Sequence, residues 1–209
     1  MKKTPLLLIF TFFLFIGLTN AQNLASDYET DYIVDLKGIQ LRCKITKIKN
    51  GNVQYRLYKK FSPVIVNLMN LNDIYLNDKS EVPNNWVNSL EKPIDGFSHV
   101  YIYSTLLHSR VFYNGNKLAT IRRGSYFLHK IKIGKKHIYY IKGNKDDEKI
   151  KLTPKSGEIF FIHPMYNENA INVMVGVNFM TTNGIRLNVK NDKISEYAVL
   201  SIKKRIESK

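Results

Sequence analysis

The sequence predicts an all-β protein: a small antiparallel β-module, then an antiparallel β-sandwich, closed by a short C-terminal helix. Three observations lead there. Apolar and polar residues alternate with period two over many short runs, the pattern of strands with one face on a core and one in water. Turn pairs built on glycine and asparagine separate these runs at spacings of about 8–12 residues, as in sandwiches and barrels. Before the C-terminus no segment carries the apolar spacing of a long amphipathic helix.

The N-terminus has its own logic. Met1-Lys2-Lys3 is basic, residues 6–18 are uncharged and apolar, and Thr19-Asn20-Ala21 places small side chains three residues and one residue before a cut. That is the order of a secretory signal. Lysines hold the start on the cytoplasmic side, the apolar run enters the bilayer, and small side chains fit the peptidase. A membrane-spanning helix needs about 20 apolar residues, more than this run supplies. A lipid-modified terminus needs a cysteine at the cut, and Cys43 is the only cysteine. Residues 1–21 are therefore expected to be a signal peptide cleaved between Ala21 and Gln22, and the mature protein to work in the periplasm or outside the cell.

Removing the first 21 of 209 residues leaves 188, and losing Lys2 and Lys3 takes the net charge from +15 to +13. With 44% hydrophobic residues the chain can bury a core. No later segment is apolar enough to cross a membrane, and one cysteine cannot form an intramolecular disulfide. Cys43 alternates with Ile39, Leu41 and Ile45, which reads as a small hydrophobe on the buried face of a strand. The basic balance favours anionic partners. Export directs that preference to an anionic envelope polymer (lipopolysaccharide, acidic glycan or lipid headgroups) or another envelope protein, and away from nucleic acid. The competing explanation is solubility, with lysines spread over solvated strand faces.

Residues 28–76 read as the small module. YIVDL from Tyr32, a turn at Lys37-Gly38 and IQLRCKITKI lead to Asn50-Gly51, a strong hairpin turn, and then NVQYRLY; further strands are expected over 64–68 and 74–76. Residues 77–96 break the pattern with Pro83, Pro93 and Gly96 and read as a linker, with Trp86 packed at the seam between the halves. Residues 97–190 read as the sandwich. Its strands are HVYIYS, RVFY turned at Asn114-Gly115 into NKLATI, SYFLHKIKI after Gly124, KHIYYIK after Gly134, KIKLTP and EIFFIHP, with two more over 171–180 and 185–189. In 191–209, Val199, Ile202 and Ile206 stand at helical spacing behind Ser195, a possible cap.

Within about residues 97–165, the texts HVYIY, VFYNGNKLATIRRGSYFLHKI, IGKKHIYYIK and LTPKSGEIFFIHP occur in order. This segment resembles an uncharacterised family of exported bacterial β-sandwich domains, similar to PEGA and carboxypeptidase-regulatory-like sandwiches. Gly115 matches its hairpin turn, Gly124 and Tyr126 its G-S-Y element, and Gly134 with His137 its G-K-H turn. Ile133 stands where that family often has proline, and an extra lysine separates Gly134 from His137. The resemblance implies a sandwich, an envelope location and no catalysis.

The chemistry-bearing residues fit that expectation. The chain has no nucleophile elbow, zincin helix or phosphate-binding loop. Asp146, Asp147 and Glu148 are consecutive in a polar loop, a poor acid–base pair. The histidines His99, His108, His129, His137 and His163 lack close ligand spacing, so no metal or cofactor is expected. His129 shares a strand face with Phe127 and Ile131 and reads as a core histidine, able to meet His137 across a hairpin at Gly134. The reading is a non-catalytic protein; the alternative is a hydrolase of envelope glycan or peptide with an unrecognised site. The candidate binding surface is an anion patch of Arg122, Arg123, Lys130, Lys132, Lys135 and Lys136, if these residues share one end of the sandwich.

Overall fold

The computed structural model describes residues 31–57, 60–76, 90–166 and 184–207. The expected signal peptide, most of the linker with Trp86, and the strand expected at 171–180 lie outside the described residues.

The first sheet contains β1 (Asp31–Asp35), β2 (Gln40–Lys49), β3 (Asn52–Arg56), β4 (Val64–Asn67) and β5 (Leu71–Tyr75), in spatial order β4-β3-β2-β1-β5 with every pair antiparallel. A single 3-10 turn, Leu68–Asn70, carries the chain from β4 to β5. The long β2 serves two partners. Its first part pairs with β1 and its second with β3, and the register shifts between Ile45 and Lys47. One extra residue reverses the in–out parity, which is why Cys43, Ile45 and Ile48 are all buried. The alternation stops protecting side chains at the other end of β2, where Ile39 and Leu41 are exposed.

The remaining strands form two more sheets. The central one contains β6 (Phe97–Ser104), β9 (Ser125–Lys132), β12 (Ile159–Tyr166), β13 (Ile185–Val189) and β14 (Lys204–Arg205), in order β13-β12-β6-β9-β14. The outer one contains β7 (Ser109–Tyr113), β8 (Asn116–Ile121), β10 (His137–Ile141) and β11 (Ile150–Leu152), in order β11-β10-β7-β8. Among the described residues the fold is thus mostly strand with one short helix, α1 (Lys193–Ser201). It departs from a purely antiparallel sandwich, because β12 runs parallel to β6 and β14 parallel to β9.

The central sheet has no wet face over its middle. Val100, Ile102, Phe127, Ile131 and Ile162 pack toward the outer sheet with Val111, Ile121 and Tyr139. The alternate residues Tyr101, Tyr103, Tyr126, Leu128 and Phe161 share a core with Cys43, Ile45 and Val53 of the first sheet and with Ile194, Ala198 and Val199 of α1. Tyr101 stacks on Phe161 at 5.8 Å and lies 6.1 Å from Tyr126. The sheet is therefore the middle layer of three.

The helix begins at Asp192, whose carboxylate accepts from the Ser195 amide at 2.8 Å. Ser195 is thus not the cap: it lies inside the first turn, and its hydroxyl accepts from the Tyr103 phenol at 3.0 Å. Ile206 is not on the helix either. The chain leaves α1 at Ile202, and the Ile206 amide donates to the Tyr126 carbonyl at 2.8 Å beside β9.

Both Asn-Gly pairs form the turns their chemistry favours. Asn50 and Gly51 have φ of 49° and 75°, and Asn114 and Gly115 have 45° and 93°, the positive values that a two-residue hairpin turn requires. Their surroundings differ. A Cβ on Gly115 meets nothing, whereas one on Gly51 would overlap the Thr105 side chain. Gly115→Ala is expected to cost about 1–2 kcal/mol for the left-handed backbone alone. Gly51→Ala is expected to cost a further ~1–3 kcal/mol from the steric conflict. Urea unfolding of the two variants side by side checks the difference; equal midpoints would contradict the packing of this turn on Thr105.

Candidate functional site

The six cations of the expected anion patch do not share one end. Arg122 and Arg123 lie in the loop entering β9, while Lys132, Lys135 and Lys136 lie at and beyond its exit. Seven strand steps separate Ser125 from Lys132, about 24 Å at the rise of an extended strand. Lys130 is different again. It is on the face of Tyr126 and Leu128, and its ammonium pairs with Glu91 at 2.8 Å. Arg205 reaches the other oxygen of Glu91. The two cations hold the Glu91 carboxyl below its ordinary range, Lys130 first.

The exit end of β9 is mixed in charge. The Ile133 amide donates to the Gly96 carbonyl, and the neighbouring Asp95 carboxylate accepts from Ser156 at 2.9 Å. Glu158 accepts from the Lys155 amide at 2.8 Å, and its own carbonyl takes the His99 amide. Lys132, Lys135 and Lys136 are exposed there among Asp95 and Glu158 rather than in a field of one sign.

The entry end is different. The Gly124 amide, next to Arg123, donates to the Ser104 carbonyl at 2.8 Å. Lys204 pairs in register with Ser125. At the end of α1, Ser201 receives the Asn50 amide on its carbonyl and the Gly51 amide on its hydroxyl, both at 2.9 Å. The β2–β3 turn, the β6–β7 loop, the β8–β9 loop and the α1–β14 link therefore meet at one corner. They bring together Arg122, Arg123, Lys49, Lys203 and Lys204, all exposed. Residues 47–54, 104–110, 121–126 and 200–205 contain no aspartate or glutamate. The sequence singled out only the two arginines of this group. Lys49 and Lys203–Lys204 are remote in sequence and join them only through contacts of the fold.

The histidines are placed by the sandwich. The Gly134 turn is not a hairpin: β9 and β10 belong to facing sheets, and the turn arches between them. His129 and His137 thus approach across the layer, with Tyr113 between. The His137 Nε2–H donates to the Lys132 carbonyl at 2.8 Å, so its Nδ1 accepts from the Tyr113 hydroxyl at 2.7 Å. His129 Nδ1 bonds the Tyr139 hydroxyl at 2.9 Å, and the edge of Tyr113 lies against its ring. Burial, with a smaller repulsion from His137, lowers the His129 pKa to about 4. His163 is also lowered to about 4, mainly by burial. These are neutral, packed imidazoles, not titrating bases at neutral pH.

Cys43 is fully buried, and desolvation together with the Asp31 carboxylate pushes its thiol up to about 12. It stays protonated and cannot act as a thiolate nucleophile. Among the described residues, no three His, Cys, Asp or Glu side chains gather as metal ligands, and no helix is long and apolar enough to cross a membrane. No family model, curated protein or solved structure matches this chain.

Proposed function

We propose that this is an exported, non-catalytic cell-envelope protein that binds or scaffolds an anionic envelope component, with another envelope protein as the second class of partner. The observation that carries this reading is the excess of positive charge, +15 over the whole chain, together with the gathering of the exposed Lys49, Arg122, Arg123, Lys203 and Lys204 at one corner of the fold. An excess of this size attracts polyanions over distances of a Debye length. The basic, apolar and small-residue order of residues 1–21 supports export. The resemblance of residues 97–165 to exported sandwich domains supports the envelope as the place of work. The protonated Cys43 and the neutral His129 and His163 fit a binding role better than acid–base or thiolate chemistry.

Two measurements test it. Mass spectrometry of the protein isolated from its own cells is expected to give Gln22 as the first residue, from an envelope or medium fraction. The purified mature protein is expected to be retained on immobilised heparin and lipopolysaccharide, and released steeply as salt rises. A chain starting at Met1 in the cytosol would refute export, and salt-insensitive passage through both matrices would refute anion binding.

A further inference from the structure

We propose that the basic corner at the entry of β9 docks onto an anionic membrane surface. Lys49, Arg122, Arg123, Lys203 and Lys204 would face phosphate headgroups, and Leu106 would enter the interface beside them. This inference rests on the anion-binding reading above and names its site and its partner.

The charge argument comes first. The 32 lysines and arginines of the chain would dilute over a molecule of this size without creating a site, but segregation by sign creates one. At the exit of β9 the lysines are interleaved with Asp95, Glu158 and the Glu91 pair. At the entry, four chain segments converge that contain no carboxylate of their own, and Glu91 and Glu207 act there on Arg205 rather than on the five cations. None of the five cations has an ion-pair partner among the described residues, in contrast to Lys130, Lys149, Lys190 and Arg205. Their charge is available to a ligand.

The second argument concerns shape and polarity. The five side chains are carried by the end of β2, the loop before β9, the link after α1 and the short edge strand β14, and all are exposed. The β6–β7 loop of this corner carries Leu106, 45% exposed. It follows Thr105, which the Gly51 turn packs against, and stands two residues from Ser104, which holds the Gly124 amide. Its neighbours Thr105 and Leu107 are buried, which fixes the loop with Leu106 pointing out; His108 is the other exposed residue of this loop. A soluble polyanion gains nothing from an apolar side chain beside the cations. A lipid surface gains from both: headgroups attract the lysines and arginines at about 1 kcal/mol each, and the interface takes up the apolar side chain.

The test is flotation of the purified mature protein with vesicles of equimolar phosphatidylglycerol and phosphatidylcholine, against phosphatidylcholine alone, with heparin retention measured in parallel. Wild type is expected to float only with the anionic vesicles. The variant Arg122→Gln, Arg123→Gln, Lys203→Gln, Lys204→Gln is expected to lose roughly fivefold in partitioning per cation, so two to three orders of magnitude in all. Lys132→Gln, Lys135→Gln, Lys136→Gln, at the other end, is expected to float as wild type. Leu106→Ser is expected to lose flotation severalfold with heparin retention unchanged, a result that simple charge attraction would not produce. Circular dichroism confirms that each variant is folded. Equal losses from both ends would overturn the site. Heparin retention without flotation would overturn membrane docking and leave the anion-binding reading standing; absence of both would overturn the two together.

Discussion

Acidification from pH 7 to pH 5 is expected to lower the unfolding free energy by about 4 kcal/mol, through two buried histidines. His129 and His163 have pKa values lowered from 6.5 to about 4. The unfolded chain therefore binds more protons than the fold between those values, and stability rises with pH across that window. The contribution is fully present above pH 6.5 and is lost as pH falls toward 4. Each histidine gives about 1.4 kcal/mol per pH unit inside the window. The groups around each ring set the sign. His129 faces Tyr113, Tyr139 and His137, with no carboxylate of the described residues acting on it to stabilise an imidazolium. His163 lies 5.6 Å from the Tyr103 ring; Lys190 lowers it further, while Asp192 and a backbone bond at Pro164 oppose only part of the burial. Its Nε2 is buried without a partner among the described residues. Glu91 and Asp146 have lowered pKa values and also lose stabilisation in acid, but only below the ordinary carboxylate range, so the interval from pH 7 to pH 5 isolates the histidines. Urea unfolding at the two pH values measures the loss. His129→Gln and His163→Gln are each expected to remove about half of the pH dependence; an unchanged slope in the double variant would assign it elsewhere.

These histidines also show what could be read in the sequence. Alternation placed His129 with Phe127 and Ile131, and that is where it lies. The strand positions and the two Asn-Gly turns were legible for the same reason: period-two patterning and turn chemistry are local. Pairing across sheets is not local. Gly134 could equally close a hairpin or arch between layers, and only the packing of Tyr113 against both histidines decides for the arch. The central sheet carried a usable signal. In β6, His99, Tyr101 and Tyr103 alternate with Val100 and Ile102, so both faces are apolar, the mark of a strand covered on two sides. Lys130 and Lys132 hid the same property in β9, because they mark its uncovered end and not its whole face. Lys204–Arg205 falls within the helical spacing of Val199, Ile202 and Ile206, and nothing in two charged residues announces an edge strand. The basic corner was half visible, since Lys49 and Lys203–Lys204 reach Arg122–Arg123 only through the Ser201, Gly51 and Ser125 contacts.

The double cover of the central sheet leads to the second large effect. Tyr103 is fully buried where three parts of the molecule meet. Its phenol donates to Ser195 of α1 at 3.0 Å and lies against Met69 of the 3-10 turn, and its ring packs beside His163 of β12. Burial pushes its phenol pKa far up, so the hydroxyl remains a donor. Tyr103→Ala is expected to cost about 3–5 kcal/mol, as for other large aromatic deletions in cores. That is a sizeable fraction of the 5–15 kcal/mol, roughly, that holds a typical domain folded. Tyr103→Phe keeps the ring and leaves the buried Ser195 hydroxyl without its donor, at about 1–3 kcal/mol. Ile102→Ala removes a side chain from the opposite face at about 2–5 kcal/mol. If the first sheet, α1 and the sandwich form one cooperative unit through this shared sheet, all three variants shift a single denaturant transition, and far-ultraviolet and near-ultraviolet circular dichroism follow the same curve. If the first sheet were instead an independent module resting on the sandwich, Tyr103→Ala would split the curve into two transitions, the later one at the wild-type midpoint. The aromatic face of Tyr101, Tyr103, Tyr126 and Phe161 argues for the single transition, because a sandwich stripped of its first sheet would present those rings to water.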